Sequence, residues 1–552
     1  MLHQLDRFVA NGLLLASQAG AARRFRSLLA QPRRAQEAAL TRILEANRGA
    51  CYGRTHGFPH LKTVADFQSH VPIVDYDDLQ PWIERIWQGE QNVLTEAPVL
   101  MLEKTSGSTA PAKYIPYTEP LRAEFGAATA AWLFDMVARR PALWGASAYW
   151  SMSPAGRDRE TTPGGAPIGF SDDTEYFGPL ARWVLSRTLR VPGLVSRIAS
   201  LDANRYVTLR LLLDQDDLGL ISVWNPSFLT LLMGQLEAVG DRLVKDLAAG
   251  TLTAPLPPAL HALLSRGLRP QPQRARWLRA LLARSTPALG TDFFPHLRLI
   301  SCWTDAGAAR TLPALEALFP GVELQGKGLL ATEGVVTFPL TGHPGGVLAL
   351  DSHFYEFLPE DGLVPRLADE LELGRAYEVV ITTGGGLYRY NMHDLVRVVG
   401  FHQATPLLEF IGKADKTSDM VGEKLNERHV AEVLARSLGA LGLPPRFAML
   451  APEWGAPPRY ALLLEAPELD LPGLHRLVAS VEAGLRENPH YAYARDLGQL
   501  GPLLGLHTPP GADAIYLEAC TELGQRAGDV KATALHLSPG WASRLAAEDQ
   551  AG

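Results

Sequence analysis

Short segments that are either apolar or rich in β-branched residues recur in the chain from about residue 296, and they restrict the fold more than any other feature. They are residues 297–301, 322–325, 335–340, 347–350, 378–383, 395–399 and 407–411. Each segment is too short for an ordinary helix, and the intervening residues favour helices. Strands that alternate with helices are typical of sheets covered by helices, so the pattern predicts an α/β fold.

The rest of the chain divides into a long N-terminal part and a shorter C-terminal part. Residues 1–95 read as helical, a short strand at 99–102 follows, and residues 205–250 show helical spacing interrupted at Asn225-Pro226. After Gly412 a charged stretch, 413–428, leads into a helix, a strand at 460–465 and another helix. This change of composition predicts a large domain over residues 1–412 and a small domain over residues 413–552.

Composition argues against several classes of protein. The chain has 52 basic and 59 acidic residues, a net charge of −7, whereas general nucleic-acid binders carry a basic surplus. The cysteines Cys51, Cys302 and Cys520 are too far apart in sequence for a Cys-rich zinc site or a disulfide framework. The uncharged stretch 8–22 is too short to span a bilayer. We therefore expect a cytoplasmic protein that binds neither nucleic acid nor membranes.

Familiar glycine and histidine motifs are incomplete here. Residues 321–328 nearly match a Walker A loop, but no Ser or Thr follows Lys327, and the middle of the segment favours a strand. The triplet 384–386 lacks the spacing of a dinucleotide-binding loop, and the chain contains neither G-x-S-x-G nor H-E-x-x-H. His343 and His353 are accordingly expected to be surface loop residues rather than metal ligands.

One hydroxyl-rich turn has the character of an anion site. It lies between the strand at 99–102 and an apparent strand at 114–116, and Lys113 follows it. Backbone N–H groups and hydroxyls in such a turn can surround a phosphate, although a flexible surface turn has the same composition. The residues concerned are Thr105, Ser106, Gly107, Ser108 and Thr109.

Further segments follow this turn in a distinctive order. They are Trp-Thr-Asp-Ala-Gly at 303–307, Leu-Leu-Ala-Thr-Glu-Gly at 329–334, Tyr-Arg-Tyr-Asn-Met-His-Asp at 388–394, Gly-Lys-Ala-Asp at 412–415, Gly-Glu-Lys-Leu-Asn-Glu at 422–427 and Gly-Asp-Val-Lys at 528–531. The series resembles the adenylate-forming superfamily of acyl-CoA synthetases, luciferases and peptide-synthetase adenylation domains. It is most similar to the auxin-responsive Gretchen Hagen acyl-acid amido synthetases, specifically their bacterial relatives.

This resemblance covers nearly the whole chain, including residues 217–228, and implies a luciferase-like α/β fold with a small, mobile C-terminal α+β lid. It implies that ATP activates a carboxylic acid as an acyl-adenylate, which an amino acid or another amine then converts to an amide. The phosphate loop would be Thr105, Ser106, Gly107, Ser108 and Thr109. The loop against adenine would be Thr304, Asp305, Ala306 and Gly307.

The remaining matches concern charge and the lid. Thr332 and Glu333 match a Thr-Glu pair whose carboxylate helps to hold Mg²⁺, and Asp394 matches the aspartate that accepts both ribose hydroxyls. Lys413 and Asp415 match residues at the family's hinge. Lys531 matches the lysine that the small domain brings to the carboxylate and the α-phosphate.

Two residues depart from the family pattern. Leu329 replaces a tyrosine that usually stacks on adenine, and His393 replaces the glycine that usually precedes the ribose aspartate. These two departures leave a non-catalytic binding protein that keeps the fold as one alternative. An acyl-CoA ligase, which uses the same first half-reaction, is the other. Trp150, Trp224 and Trp303 could line an acyl pocket, but core packing is the simpler interpretation. The identities of the acid and the amine and the oligomeric state are not predicted.

Overall fold

The structure, a computed structural model, describes residues 2–104, 113–151, 160–169, 179–359, 364–414, 416–418, 420–421, 423–443, 445–523, 525 and 530–545. Its α-helices are α1 Leu2–Leu28, α2 Pro32–Ala46, α3 Cys51–Thr55, α4 Val64–His70, α5 Tyr76–Trp87, α6 Glu119–Ala138, α7 Pro179–Thr188, α8 Leu201–Leu212, α9 Pro226–Gly234, α10 Leu236–Ala249, α11 Pro258–Ser265, α12 Pro272–Leu282, α13 Gly290–Phe293, α14 Leu312–Leu318, α15 Glu427–Ala440, α16 Leu471–Leu485, α17 Pro489–Asp496, α18 Ala512–Glu522 and α19 Trp541–Leu545.

The strands of the described residues belong to five sheets. They are β1 Val99–Lys104, β2 Tyr114–Thr118, β3 Ser147–Trp150, β4 Leu218–Ser222, β5 Leu299–Ser301, β6 Glu323–Gln325, β7 Thr337–Phe338, β8 Gly346–Leu348, β9 Phe354–Pro359, β10 Ala376–Thr382, β11 Tyr390–His402, β12 Thr405–Lys413, β13 Thr417–Ser418, β14 Leu425–Asn426, β15 Phe447–Glu453, β16 Arg459–Glu465 and β17 Leu504–His507.

One core of the large domain is built around a four-stranded parallel sheet in the order β3-β4-β5-β6. Helices α8 to α14 supply most of the core on one of its faces, and α6 lies on the other. The helical spacing read over residues 205–250 missed the central strand β4. All five residues of β4 are buried, so its leucines and isoleucine lie on both faces and give no two-residue alternation.

A second core of the large domain is built around a six-stranded antiparallel sheet in the order β7-β8-β12-β11-β10-β9. Its core is shared with the N-terminal helices, and Val74 forms a parallel bridge with Tyr390. All seven predicted segments contain strands, but the expected alternation with helices ends at β6, because β7 to β12 pair antiparallel. Strand β9 was missed because it contains Glu356, whose buried carboxylate forms an ion pair with Arg389.

The C-terminal part has a three-stranded sheet, β15-β16-β17, packed with α15, α16 and α18 around clusters of its own. The predicted strand at 460–465 is confirmed as β16. The whole is a mixed α/β molecule with a large N-terminal domain and a smaller C-terminal sheet domain. Within the described residues, no helix is both long enough and apolar enough to cross a bilayer.

Candidate active site

Asp394 lies near the start of β11, opposite Lys413 at the end of β12. Its side chain is almost completely buried, and Oδ1 lies 2.9 Å from Lys413 Nζ. The same ammonium donates to the carbonyl of Met392 at 2.9 Å. The ladder register shifts directly after Asp394, between Leu395 and Val396. Such an irregularity changes the direction of nearby side chains and is common beside active sites.

His393 adopts a left-handed backbone conformation with a φ of 54°. Glycine reaches that conformation freely, whereas a residue with a Cβ is strained there. The histidine is fixed on both sides: its carbonyl accepts from Ala414 N at 2.8 Å, and its ring Nδ1 lies 3.4 Å from a Glu378 carboxylate oxygen. The hydrogen bond with His393 is the main cause that lowers the pKa of Glu378. The departure from glycine is therefore accommodated by a specific contact.

Thr332 and Glu333 occupy the tip of a tight turn. Leu330 and Val335 form an antiparallel bridge at its base, and Ala331 N donates to the carbonyl of Gly334 at 3.0 Å. Both tip residues are half-buried. The Glu333 carboxylate is thus carried on a short, closed segment.

A buried pair behind this turn fixes its position. His353 Nε2 accepts from Val335 N at 3.1 Å, and Nδ1 donates to Glu124 Oε2 at 2.9 Å. This arrangement corresponds to a neutral imidazole, since one ring nitrogen accepts and the other donates. Glu124 also accepts from Gly384 N at 2.9 Å and from Arg42 at 2.8 Å.

The expectation that His353 is a surface loop residue is wrong, because its side chain is fully buried. Glu124 was missed altogether. Its neighbours in helix α6 are mostly apolar, and its partners come from distant parts of the chain. Only an unusual carboxylate on an apolar helix could have signalled it from the sequence.

Tyr390 connects the two predicted acidic positions. Burial is the main cause that raises the pKa of its hydroxyl, and the charges of Glu333 and Asp394 raise it further. The two carboxylates therefore act on the same phenol, although 60 residues of other structure separate them in the chain. The structure brings these two predicted residues into one neighbourhood.

The segment 304–307 follows β5 and approaches β12. Thr304 Oγ1 donates to Asp305 Oδ1 at 2.9 Å, and Asp305 Oδ2 accepts from Phe410 N at 3.3 Å. Burial raises the pKa of Asp305 in spite of these bonds. Ala306 has a left-handed φ of 50° and, with Gly307, begins a short 3₁₀ helix, Ala306–Thr311.

Gly326 allows this segment to lie close to β6. A Cβ at that position would stand 2.7 Å from Thr304 Oγ1, closer than real contacts permit. In the sequence, Gly326 is only part of an incomplete Walker A loop. Its observed role is to make room for Thr304.

Lys531 reaches the same side of the large domain from the C-terminal part. Its Nζ lies 4.6 Å from the centre of the Trp303 ring. The preceding Val530 carbonyl accepts from Asn225 Nδ2 at 2.8 Å, which attaches this segment to the start of α9. A cation over an indole face is favourable, so the contact orients the lysine.

The hydroxyl-rich turn Thr105–Thr109 lies outside the described residues. Strands β1 and β2 flank it as expected, and Lys113 Nζ lies 5.6 Å from the Tyr76 ring centre. Leu329, which replaces the usual tyrosine, is 9% exposed and belongs to the core shared with the six-stranded sheet. Trp150, Trp224 and Trp303 are only half-buried, so packing in the core accounts for only part of each side chain's surface.

Comparisons with known proteins identify relatives along most of the chain. The model of the GH3 family N-terminal domain matches residues 21–324, and that of the GH3 family central domain matches residues 346–413. The indole-3-acetic acid-amido synthetase GH3.8 of Oryza sativa subsp. indica is 26% identical over 74% of this chain and 70% of its own length. The jasmonoyl-L-amino acid synthetase JAR4 of Nicotiana attenuata is 25% identical over 68% of each protein.

A solved structure with a similar fold is the AtGH3.15 acyl acid amido synthetase in complex with 2,4-DB. Its TM-score is 0.83 at 19% identity, and the match covers 97% of both chains. The fold agreement extends through the C-terminal part, which the two family models do not reach. Since the N-terminal model alone matches more than half of the residues, the chain belongs to the GH3 family.

Proposed function

We propose that this protein is an ATP-dependent acyl-acid amido synthetase. It activates a carboxylic acid as an acyl-adenylate with release of pyrophosphate, and then transfers the acyl group to an amino acid or another amine with release of AMP. The observation that carries this proposal is the buried Asp394 carboxylate, 2.9 Å from Lys413 Nζ, in a chain of the GH3 family. The names of the amido synthetase relatives support the same reaction class.

The two half-reactions divide the chemical problem. A carboxylate oxygen is a poor leaving group, whereas AMP leaves readily when an amine attacks the adenylate. In the first step the acid attacks the α-phosphate, so the protein must align the two reactants and neutralise their charges. Thr105, Ser106, Gly107, Ser108 and Thr109 are proposed to bind the phosphates, with Lys531 adding a cation.

The nucleoside of ATP is proposed to bind near the start of β11 and the ends of β12 and β5. Asp394 is proposed to accept the ribose hydroxyls, since its carboxylate is held at a fixed distance from Lys413. Thr304, Asp305, Ala306 and Gly307 are proposed to lie against adenine. Thr332 lies at the tip of the same turn as Glu333 and is proposed to contact the nucleotide there.

Glu333 is proposed to hold Mg²⁺ together with the phosphates. Among the described residues no cluster of three or more His, Cys, Asp or Glu side chains could enclose a metal ion. One carboxylate together with substrate phosphates is a donor set that suits Mg²⁺, which usually binds one or two carboxylates, substrate phosphates and waters. When bound, the ion would neutralise charge on the phosphates.

The boundary at 412/413 is proposed to be a hinge between a large domain, 1–412, and a small domain, 413–552. Separate apolar clusters within the C-terminal part support this division. The small domain is proposed to deliver Lys531 for adenylation and to move before amide formation. The free thiols Cys51, Cys302 and Cys520 suit a reducing, cytoplasmic location.

ATP–pyrophosphate exchange over aryl, indolyl and fatty acids tests the proposal. We expect exchange with at least one acid class. Mass spectrometry with mixed amino acids, other amines and CoA should then detect an amide and AMP. A CoA thioester as the product would identify an acyl-CoA ligase, and exchange with no acid would favour a non-catalytic binding protein.

A further inference from the structure

The last residues of the four parallel strands form one row across the sheet. Trp150 pairs with Ser222, Ser222 with Ser301, and Ser301 with Gln325. Trp132 of α6 donates from its indole N–H to Gln325 Oε1 at 3.3 Å, which places the row beneath this helix. Ligands of open parallel sheets bind at this carboxyl edge.

Lys327 follows β6 and turns back over this row. It is 1% exposed, and Nζ donates to Ser222 Oγ at 2.7 Å and to Ser301 Oγ at 3.4 Å. Three indole rings surround the ammonium, with ring centres 5.0 to 5.7 Å from Nζ. They belong to Trp132, Trp150 and Trp224.

No carboxylate of the described residues contacts Lys327. Its two hydrogen bonds go to neutral hydroxyls, and the ionisable group whose charge raises its pKa is the Cys302 thiol. A buried ammonium without a carboxylate is unfavourable, because neither hydroxyls nor indole rings replace its full hydration. Burial lowers the pKa of Lys327 to about 7.

Two of the three indole rings around Lys327, those of Trp150 and Trp224, also contact features outside this cage of Trp132, Trp150 and Trp224. Trp150 and Trp224 are half-buried, so the core does not completely cover these two side chains. Trp150 also lines an apolar cavity of about 60 Å³ between β3, α1, α6 and α7. On the other side, the Trp224 ring lies 5.6 Å from Trp303, the ring beneath Lys531. Trp150 therefore borders both Lys327 and the apolar cavity, and Trp224 borders both Lys327 and Trp303.

We propose that Lys327, with Ser222 and Ser301, forms a carboxylate-binding site at the carboxyl edge of the parallel sheet. A carboxylate would supply the negative charge that the described protein groups do not. The apolar cavity favours the acyl acid as its source, and the carboxylate of an amino-acid acceptor has the same chemistry. The choice of these two candidate ligands rests on the proposed function, whereas the binding site itself does not.

Binding without ATP tests this site directly. Isothermal titration calorimetry would measure binding of phenylacetate, indole-3-acetate and hexanoate, each compared with its primary amide, and of alanine compared with ethylamine. We expect at least one carboxylate to bind the wild type. Lys327→Met should weaken that binding about 10- to 100-fold, the range of a charged hydrogen bond, and leave the amide or amine unaffected.

The matched control is Lys245→Met, which removes an exposed lysine from α10. Lys327→Gln serves as a second variant if Lys327→Met does not fold, as judged by circular dichroism. Selective loss of acid binding would assign the site to the acyl acid, and selective loss of alanine binding would assign it to the acceptor.

Equal carboxylate affinity in Lys327→Met and the wild type would overturn the proposal, as would a wild type that binds none of these carboxylates. Because this assay uses no ATP, its result is independent of adenylation. A wild type that binds a carboxylate but never exchanges pyrophosphate would contradict the proposed function and leave the binding site intact.

Discussion

At the residue scale, Glu333 lies on a turn whose shape does not depend on its own side chain. The Leu330–Val335 bridge and the His353 contact to Val335 N hold the turn through backbone groups. Loss of the carboxylate should therefore change the chemistry and leave the fold intact. This separation makes the position suitable for a kinetic test.

We predict that Glu333→Gln lowers ATP–pyrophosphate exchange about 100- to 1,000-fold, the usual effect of removing one charge-stabilising group from a transition state. The free energy of unfolding, measured in urea, should stay within about 0.5 kcal/mol of the wild-type value. Glu316→Gln, an exposed change in α14, is the matched control. Exchange within threefold of the wild type in Glu333→Gln would show that the metal assignment is wrong.

His393 offers a test of backbone strain beside Asp394. Its φ of 54° is accessible to glycine but strongly unfavourable for a β-branched residue. We predict that His393→Gly changes the free energy of unfolding by less than about 1 kcal/mol, because relief of strain offsets the lost contact with Glu378. His393→Val should destabilise the protein by about 2 kcal/mol or more.

Urea unfolding of the two variants distinguishes these effects. Equal stability of His393→Gly and His393→Val would mean that the left-handed conformation is not maintained in solution. If the glycine variant also keeps its ATP affinity, the histidine is tolerated at this position rather than required.

At the scale of elements, a polar network joins the segment after Lys531 to the start of α15. Glu427 accepts from Ala534 N at 2.9 Å and from the Thr533 hydroxyl, and it lies 3.0 Å from Lys416 Nζ. Burial alone would raise the pKa of Glu427, but Lys416 and these hydrogen bonds outweigh it and lower the pKa. The network thus connects the two ends of the small domain.

A carboxylate whose pKa is lowered by folding stabilises the protein above its unfolded pKa, here 4.5, and that contribution is lost as the pH falls through the folded pKa. We predict that Glu427→Gln lowers the free energy of unfolding by about 1–3 kcal/mol at pH 7. The difference should shrink below pH 4.5, which urea unfolding at pH 7 and pH 3.5 would measure. A difference that is constant across this range would exclude a charged Glu427 as its cause.

At the scale of the whole molecule, the position of Lys531 depends on how the small domain lies on the large one. Its contact with Trp303 and the Val530 bond to Asn225 are both made across the two parts. Adenylation forces a carboxylate against the α-phosphate, and a cation is most effective there when closure excludes water. Amide formation begins from a neutral amine, so the same cation has less charge to neutralise.

We predict that Lys531→Ala slows adenylation about 100-fold or more and amide formation from a synthetic acyl-adenylate less than about fivefold. Single-turnover assays of the two steps provide the measurement, and Lys245→Ala is the control. Equal losses in both steps would contradict the proposed domain alternation. No loss in either would identify Lys531 as an ordinary surface lysine.

Local patterns in the sequence were sufficient for much of the fold class and for the order of the motifs. Segment 378–383 forms a strand because its β-branched residues fit a pleated, half-buried surface, and the short apolar run 407–411 forms the neighbouring part of β12. The family resemblance likewise depends on short motifs in a fixed order. Strand β4 was missed because a fully buried strand and an apolar helix share the same composition.

Only the tertiary structure decided which of these residues meet. His353 and Glu124 are separated by 229 positions, yet their 2.9 Å hydrogen bond holds the turn of Glu333. Lys327 reads as part of an incomplete loop motif, and its caged position follows from the register of four parallel strands. The sequence determines backbone preference through interactions between near neighbours. Burial and charge pairing depend on sheet register and helix packing, which bring distant segments together.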